Sequence, residues 1–265
     1  MDLGFRGEVA DFYHRYRHGY PEVVIDILAD AFGLSRRDVV VDLGCGTGQL
    51  TLPIARRVRA VVGVDPEPDM LRRAARAAAQ AGIGNVTWLV GSDADLPALA
   101  TLLGARSVGA ITVGQALHWM KYQELFPAAA ALARPGGGIA VVTNGQPLWL
   151  QDTAWSRALR GFLERWLGRE LTDTCGTDDE SQDRYARALA AAGYDVLRLA
   201  VDYDVWQDID QIVGGMYSAL PVSALPPPEE RPAFAEAIRA ALPPDESFSE
   251  HVHVQILAGR VYRRP

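Results

Sequence analysis

Through the first 145 residues, short apolar runs alternate with segments of helical periodicity. Runs at 39–41 (VVV), 60–64 (AVVGV), 86–90 (VTWLV), 108–113 (VGAITV) and 139–143 (IAVVT) are strand-length and apolar at consecutive positions. Consecutive rather than alternate apolar residues bury both faces of a strand, as in the middle of a parallel sheet covered by helices. Between them, 50–58, 67–81 and 122–133 carry the three-to-four-residue spacing of helices. Strand–helix alternation with short connections predicts a doubly wound α/β fold with a mostly parallel sheet.

Beyond residue 145 the pattern changes. Segments 149–167 and 181–192 read as amphipathic helices, 194–206 as a strand, 208–220 as a helix and 234–242 as a further short helix. The stretch 221–232 (PVSALPPPEERP) reads as a loop, because proline fixes φ and lacks an N–H. The last segment, 251–264, alternates enough to be an antiparallel strand near the sheet edge. The expected organisation is a cofactor-binding core over 1–145. A helical lid and C-terminal strands over 146–265 complete the same seven-stranded sheet. Trp149, Trp155, Trp166 and Trp206 would give such a lid an apolar inner surface or serve as packing or oligomer contacts.

Composition narrows the functions. The chain has 265 residues, 49% of them apolar, enough for a sizeable core. A net charge of −7 disfavours a nucleic-acid partner, which needs a basic face. Pairs such as Arg56-Arg57 and Arg72-Arg73 read as solvated helix faces. Cys45 and Cys175 cannot form a disulfide framework, no apolar stretch has the length of a membrane span, and the opening residues lack a signal-peptide core. The expected location is the cytoplasm. Abundant Ala and Arg with few Lys fits a high-GC bacterial source. His251 and His253 would share one face of a strand, yet no third metal ligand is readable beside them, so no metal is expected.

One segment carries chemistry. Residues 39–50 read VVVDLGCGTGQL: a buried strand, then Gly44-x-Gly46-x-Gly48, then a helix start. Glycines at that junction let main chain approach a ligand at the strand's carboxyl end. A glycine triplet alone also serves a tight turn. Here Asp42 precedes it, Asp65 ends the next strand and Asp93 follows the third, so three acids would line one crevice. The spacing to Asp65 suits a carboxylate that accepts ribose hydroxyls. A dinucleotide site wants Gly-x-Gly-x-x-Gly, and that last position holds Gln49. The loop also has no basic residue for a pyrophosphate, which favours an adenosyl ligand without phosphate.

These residues resemble the class I S-adenosylmethionine-dependent methyltransferases. VVVDLGCGTGQL is similar to that family's first motif, GVDPEPDML to its second-strand acid, VGSDADLP to its adenine motif, and ALARPGGGIAVV to the turn before strand five. GQALHW and YRHGYPEVVIDIL resemble segments of its small-molecule branch, which includes trans-aconitate methyltransferase-like enzymes. The resemblance implies S-adenosyl-L-methionine as donor and S-adenosyl-L-homocysteine as product. It implies that Gly44, Cys45 and Gly46 place main chain against the methionine part, Asp42 holds its ammonium, and Arg17 closes on its carboxylate. It further implies Asp65 and Pro66 at the ribose, Met70 beside the adenine, Ser92, Asp93 and Ala94 at the adenine edge, and Gln115 beside the sulfonium. The chain departs from the family at Gly109, where many relatives carry an acid, and at Ala133-Arg134-Pro135, where Leu-Lys-Pro is commoner.

Methyl transfer from a sulfonium is an in-line displacement, so the protein mainly supplies alignment and exclusion of water. A base is needed only where the acceptor must lose a proton. His118 is the leading acid–base candidate, with an orienting role for Trp119 as the competing reading. Tyr13, Tyr16 and Tyr20 either line an acceptor pocket or pack on the core. The expected function is methylation of O, N or C of a small organic metabolite, natural-product biosynthesis being one setting. The alternative is a protein of this fold that holds the cofactor structurally while catalysing a rearrangement or cyclisation. The oligomeric state is not readable.

Overall fold

In the computed structural model, which describes residues 4–244 and 248–262, the five apolar runs are adjacent parallel strands. They are β1 (Val39–Leu43), β2 (Ala60–Asp65), β3 (Val86–Val90), β4 (Val108–Gly114) and β5 (Ala133–Val142). Two long strands follow, β6 (Asp195–Gln207) and β7 (Phe248–Arg260), and the seven form one sheet of order β3-β2-β1-β4-β5-β7-β6. β1 pairs in parallel with β2 and β4, β2 with β3 and β4 with β5, while β7 runs antiparallel to β5. The chain winds outward from β1 to β3, then returns to place β4 on the other side of β1. Strand order therefore reverses at β1, and a doubly wound sheet opens its ligand crevice at the carboxyl ends beside such a reversal.

Ten helices are described: α1 (Glu8–Tyr16), α2 (Glu22–Phe32), α3 (Thr51–Ala55), α4 (Pro68–Gln80), α5 (Leu96–Leu103), α6 (Tyr122–Leu132), α7 (Ala154–Leu167), α8 (Asp179–Ala191), α9 (Ile209–Tyr217) and α10 (Arg231–Ala241). α5 escapes the pattern because LPALATLL is apolar almost throughout. α10 begins inside the expected proline loop: Pro232 occupies its first turn, where the missing N–H has no intrahelical partner to lose.

β5 starts six residues before its apolar run because glycines there pack main chain on main chain. A Cβ on Gly138 would lie 1.9 Å from the Gly259 carbonyl oxygen, and one on Gly137 would lie 2.3 Å from that of Gly109. The two departures from the family pattern meet at this place. A Cβ on Gly109 would stand 2.9 Å from Asp38 and Leu34. Arg134 donates from Nε to Asp38 Oδ1 at 2.6 Å and from Nη2 to the Phe32 and Gly33 carbonyls that end α2. Burial would raise the Asp38 carboxyl, but bonds from Arg134 and Ser35 outweigh it and hold the pKa below the usual range.

The chain divides into two compact units whose boundaries differ from a single cut near residue 145. One comprises, among the described residues, 18–144, 176–201 and 254–262 and contains β1–β5 with a core built on Val41, Leu43, Ile111, Phe126, Leu132 and Ile139. The other comprises, among the described residues, 4–17, 145–175, 202–244 and 248–253 and has its own core around Leu159, Ile212, Met216, Phe234 and Ile238. Trp149 and Trp155 are buried in that second core, with Trp155 Nε1 donating to the Ser249 carbonyl at 2.8 Å, whereas Trp166 and Trp206 are exposed. Two of the four tryptophans expected to line a lid are thus core residues. In the same unit His253 and His251 pair across strands with Asp202 and Asp204, at 2.6 and 2.8 Å. Among the described residues no group of three or more His, Cys, Asp or Glu is arranged to hold a metal ion. No described helix is long and apolar enough to cross a membrane.

Candidate functional site

The glycine loop leaves β1 at Leu43 and is pinned at both ends. Cys45 N–H donates to the Val64 carbonyl at the end of β2, and Gly48 N–H to the Cys45 carbonyl, at 3.0 and 2.9 Å. Gly44, Gly46 and Gly48 all have positive φ, 64°, 54° and 91°, a region that side chains resist. Gly44 also leaves no room: its Cβ would sit 2.5 Å from Cβ of Ala116 in the segment after β4. Beneath the loop, the Trp88 indole of β3 occupies the space left by Gly63, where a Cβ would meet it at 2.8 Å, and also abuts Gly48. That support was not legible in the sequence.

Asp65, at the end of β2, binds the loop directly. Its Oδ2 accepts from Gly46 N–H at 2.8 Å and its Oδ1 from Glu67 N–H at 2.9 Å. Each carboxylate oxygen has a further lone pair to offer, so two donors can still be accepted. The residue is 8% exposed, and burial raises its pKa against the opposing pull of the two N–H bonds. Pro66 follows on the surface, and Met70 is buried in the first turn of α4.

Asp42 behaves differently from its expected role. It is 1% exposed, and its Oδ1 and Oδ2 accept from the hydroxyls of Thr112 on β4 and Thr51 on α3. Burial pushes its pKa up to about 6, against the lowering effect of both hydroxyls. A carboxylate enclosed in the strand layer, with each oxygen engaged, is placed to fix the loop from below rather than to meet an ammonium group. Thr51 and Thr112, invisible as functional residues in the sequence, complete this arrangement. Burial, with the nearby negative charges of Asp42 and Asp65, keeps Cys45 a thiol, its pKa far above the ordinary value.

The third acid closes the rim. Ser92 and Asp95 form reciprocal caps on the turn after β3: Ser92 Oγ accepts from Ala94 N–H and Asp95 Oδ2 from Ser92 N–H. Asp93 points from this turn to the segment after β4, its Oδ2 accepting from Lys121 N–H at 3.1 Å. That segment starts at Gln115, whose φ of 53° is unusual for a residue with a side chain, and whose N–H continues the ladder to the Val142 carbonyl. Such backbone strain concentrates at binding and catalytic positions. His118 follows in a short 3-10 turn, half-buried, its ring 4.9 Å from that of Trp119.

Tyr20 joins this group. Its hydroxyl oxygen lies 2.8 Å from where a Gly114 Cβ would be, so the glycine that ends β4 makes room for it. Asn144 Nδ2, just after β5, donates to the carbonyls of His18 and Gly19 and holds the segment leading to Tyr20. The structure therefore brings Gly44, Cys45, Gly46, Asp65, Ser92, Asp93, Ala94, Gln115, His118 and Tyr20 onto the carboxyl-end loops and flanking segments of one unit. Tyr13 and Arg17 belong to the other unit. There Arg17 Nε donates to Ser218 Oγ at 2.9 Å, with its guanidinium 5.5 Å from the Tyr13 ring centre.

The strand-order reversal, the glycine loop and the acid it binds lie together at the carboxyl ends of β1 and β2. Residues 40–137 match the family model described as a methyltransferase domain. An uncharacterized methyltransferase of Mycobacterium tuberculosis is 35% identical over 165 residues, 62% of this chain and 60% of that protein. A probable S-adenosylmethionine-dependent methyltransferase of Saccharomyces cerevisiae is 25% identical over 61% of this chain and 55% of its own length. The chain thus aligns with about three fifths of these relatives' length. Among solved structures, a provisionally assigned type II methyltransferase from Anaeromyxobacter dehalogenans superposes with a TM-score of 0.62 at 24% identity, covering 94% of this chain and 100% of that one. A precorrin 8W decarboxylase from Methanobacterium thermoautotrophicum gives 0.53 at 17% identity, covering 92% and 94%. These likenesses concern the fold, which hosts more than one chemistry.

Proposed function

We propose that this protein is an S-adenosyl-L-methionine-dependent methyltransferase that moves a methyl group to O, N or C of a small organic acceptor. The observation that carries this reading is the bond from Gly46 N–H to Asp65 Oδ2, which ties the glycine loop to a rim acid that retains acceptor capacity. In this reading Asp65 takes the two ribose hydroxyls, and Gly44 and Gly46 let main chain approach the methionine part. Met70 and the Ser92–Asp93–Ala94 turn serve the adenine, and Gln115 lies beside the sulfonium. The donor supplies an already activated methyl group; the residues supply alignment and a site shielded from water. His118 takes a proton from an acceptor that must lose one, and Tyr20 borders the acceptor's approach. Asp42 is a positioning residue. An acceptor smaller than a nucleic acid accords with the net charge of −7.

The test is calorimetric titration of S-adenosylhomocysteine into the full chain, followed by incubation with methyl-labelled donor and a metabolite extract. Release of S-adenosylhomocysteine with label in a small molecule is expected. Asp65→Ala should weaken product-analogue binding about tenfold or more, because two bonds to a charged group are lost. Unchanged affinity would remove the ribose assignment. A cofactor recovered intact after acceptor conversion would overturn methyl transfer.

A further inference from the structure

Away from the glycine loop, at the amino ends of the same strands, lies a groove of about 760 Å³. Arg36, Arg56 and Arg59 line it, together with Ala55 and Val58 and the turn at residues 81–85. Arg36 precedes β1 by three residues, Arg59 immediately precedes β2, and Asn85 immediately precedes β3. Five residues of β1 separate groove and loop, a distance of about 17 Å at the rise of an extended strand. The floor is braced by Asn85, whose Nδ2 donates to the carbonyls of Ala55, Val58 and Arg59, the first at 2.8 Å. Gly82 and Gly84 leave open space over the main chain of the turn.

The acids that could neutralise these arginines are engaged elsewhere. Arg57 takes both Glu22 and Asp26, at 2.9 and 2.7 Å, and Asp38 is held by Arg134 and Ser35. Among the described residues, Arg36, Arg56 and Arg59 have no carboxylate within ion-pair distance. The sequence pair Arg56-Arg57 thus divides: Arg57 is an ordinary surface ion-pair residue, and Arg56 faces a concavity shared with two other uncompensated guanidiniums. In a chain of net charge −7, three such groups around one recess form a local anion trap. Guanidiniums bind phosphate oxygens through paired N–H bonds, and three of them match a ligand with several phosphate charges better than a single carboxylate. The recess is local and the rest of the chain acidic, which fits a small ligand and not a nucleic-acid track.

We propose that this groove binds a small polyphosphate anion, either inorganic polyphosphate or the phosphate chain of a nucleotide, at a site distinct from the glycine-loop crevice and independent of the function proposed above. The experiment is titration of tripolyphosphate and of ATP, in parallel, into the full chain at near-physiological ionic strength. Saturable binding of one equivalent is expected, unchanged by excess S-adenosylhomocysteine. Arg56→Gln and Arg59→Gln should each weaken it about tenfold. Arg59→Lys, which keeps the charge but loses the fork, should fall between. Arg72→Gln with Arg73→Gln, on the outer face of α4, should leave it unchanged, and far-ultraviolet circular dichroism checks that each variant is folded. Equal affinities for the two probes assign the site to bare polyphosphate, and tighter ATP binding assigns it to a nucleotide. Absence of saturable binding, equal loss in the α4 variant, displacement by S-adenosylhomocysteine, or tighter binding of tRNA than of ATP would each overturn the proposal.

Discussion

Asp42 and Asp65 look alike in the sequence, each an acid at the end of a β-branched run, and the structure gives them opposite environments. Asp65 remains at the rim, while Asp42 is enclosed by Thr51 and Thr112. Its folded pKa of about 6 exceeds the unfolded value near 4, so the folded state holds the proton more tightly between those limits. Folded stability therefore falls as pH rises from about 4 to 6 and is flat with respect to this group outside that window, a loss of about 3 kcal/mol in all. Asp42→Asn should remove that slope; denaturant midpoints of both proteins across the interval measure it, and parallel curves would contradict the burial assignment. His118→Ala should lower turnover more than donor affinity, a split that steady-state kinetics and calorimetry read together; full turnover at every pH would leave His118 an orienting role. Asp65 was legible because spacing from a glycine loop marks it. The fate of Asp42 was not, because Thr51 and Thr112 lie 9 and 70 residues away and only folding brings them to the carboxylate.

Among the elements, the strands of the parallel sheet were the most legible, since burial on both faces leaves a continuous apolar run whatever the tertiary context. Elements defined by what they pack against were hidden. α5 lacks a polar face, and β5 opens on Ala-Arg-Pro-Gly-Gly-Gly without an apolar run, its glycines lying against main chain from Gly109 and Gly259. The junction of β1 with its loop is constrained twice, by the positive φ of Gly44 and by the contact with Ala116. Gly44→Ala should therefore cost about 1–2 kcal/mol for the left-handed backbone alone. Donor binding should weaken along with stability, because Ala116 must move and Gln115 is its neighbour. Thermal melts and calorimetry on one preparation check both effects; a variant of wild-type stability would show that the loop adapts more freely than its geometry indicates.

At the scale of the molecule, residues 40–137, where the family match lies, fall within one unit, and the second unit is drawn from three separate stretches of chain. Such assembly from the start, middle and end is what a linear reading divides wrongly. The net charge of −7 belongs to the whole chain, and it predicts negligible methyl transfer to tRNA in a filter-binding assay at moderate salt; label retained with the RNA would point to a macromolecular acceptor. The second unit also joins the beginning of the chain to a helix two hundred residues later. Gly214 of α9 faces the ring of Tyr16 on α1 so closely that an added Cβ would lie 2.4 Å from it, while Glu8 is clamped by Arg231. Two successive glycines make α9 a poor helix by itself, reliant on the aromatic cover that α1 provides. Trimming the first sixteen residues, as a protease nick or a tightly drawn expression boundary would do, strips that cover and frays a segment far along the polypeptide. Material prepared that way would be a damaged protein even with every residue of its glycine loop intact.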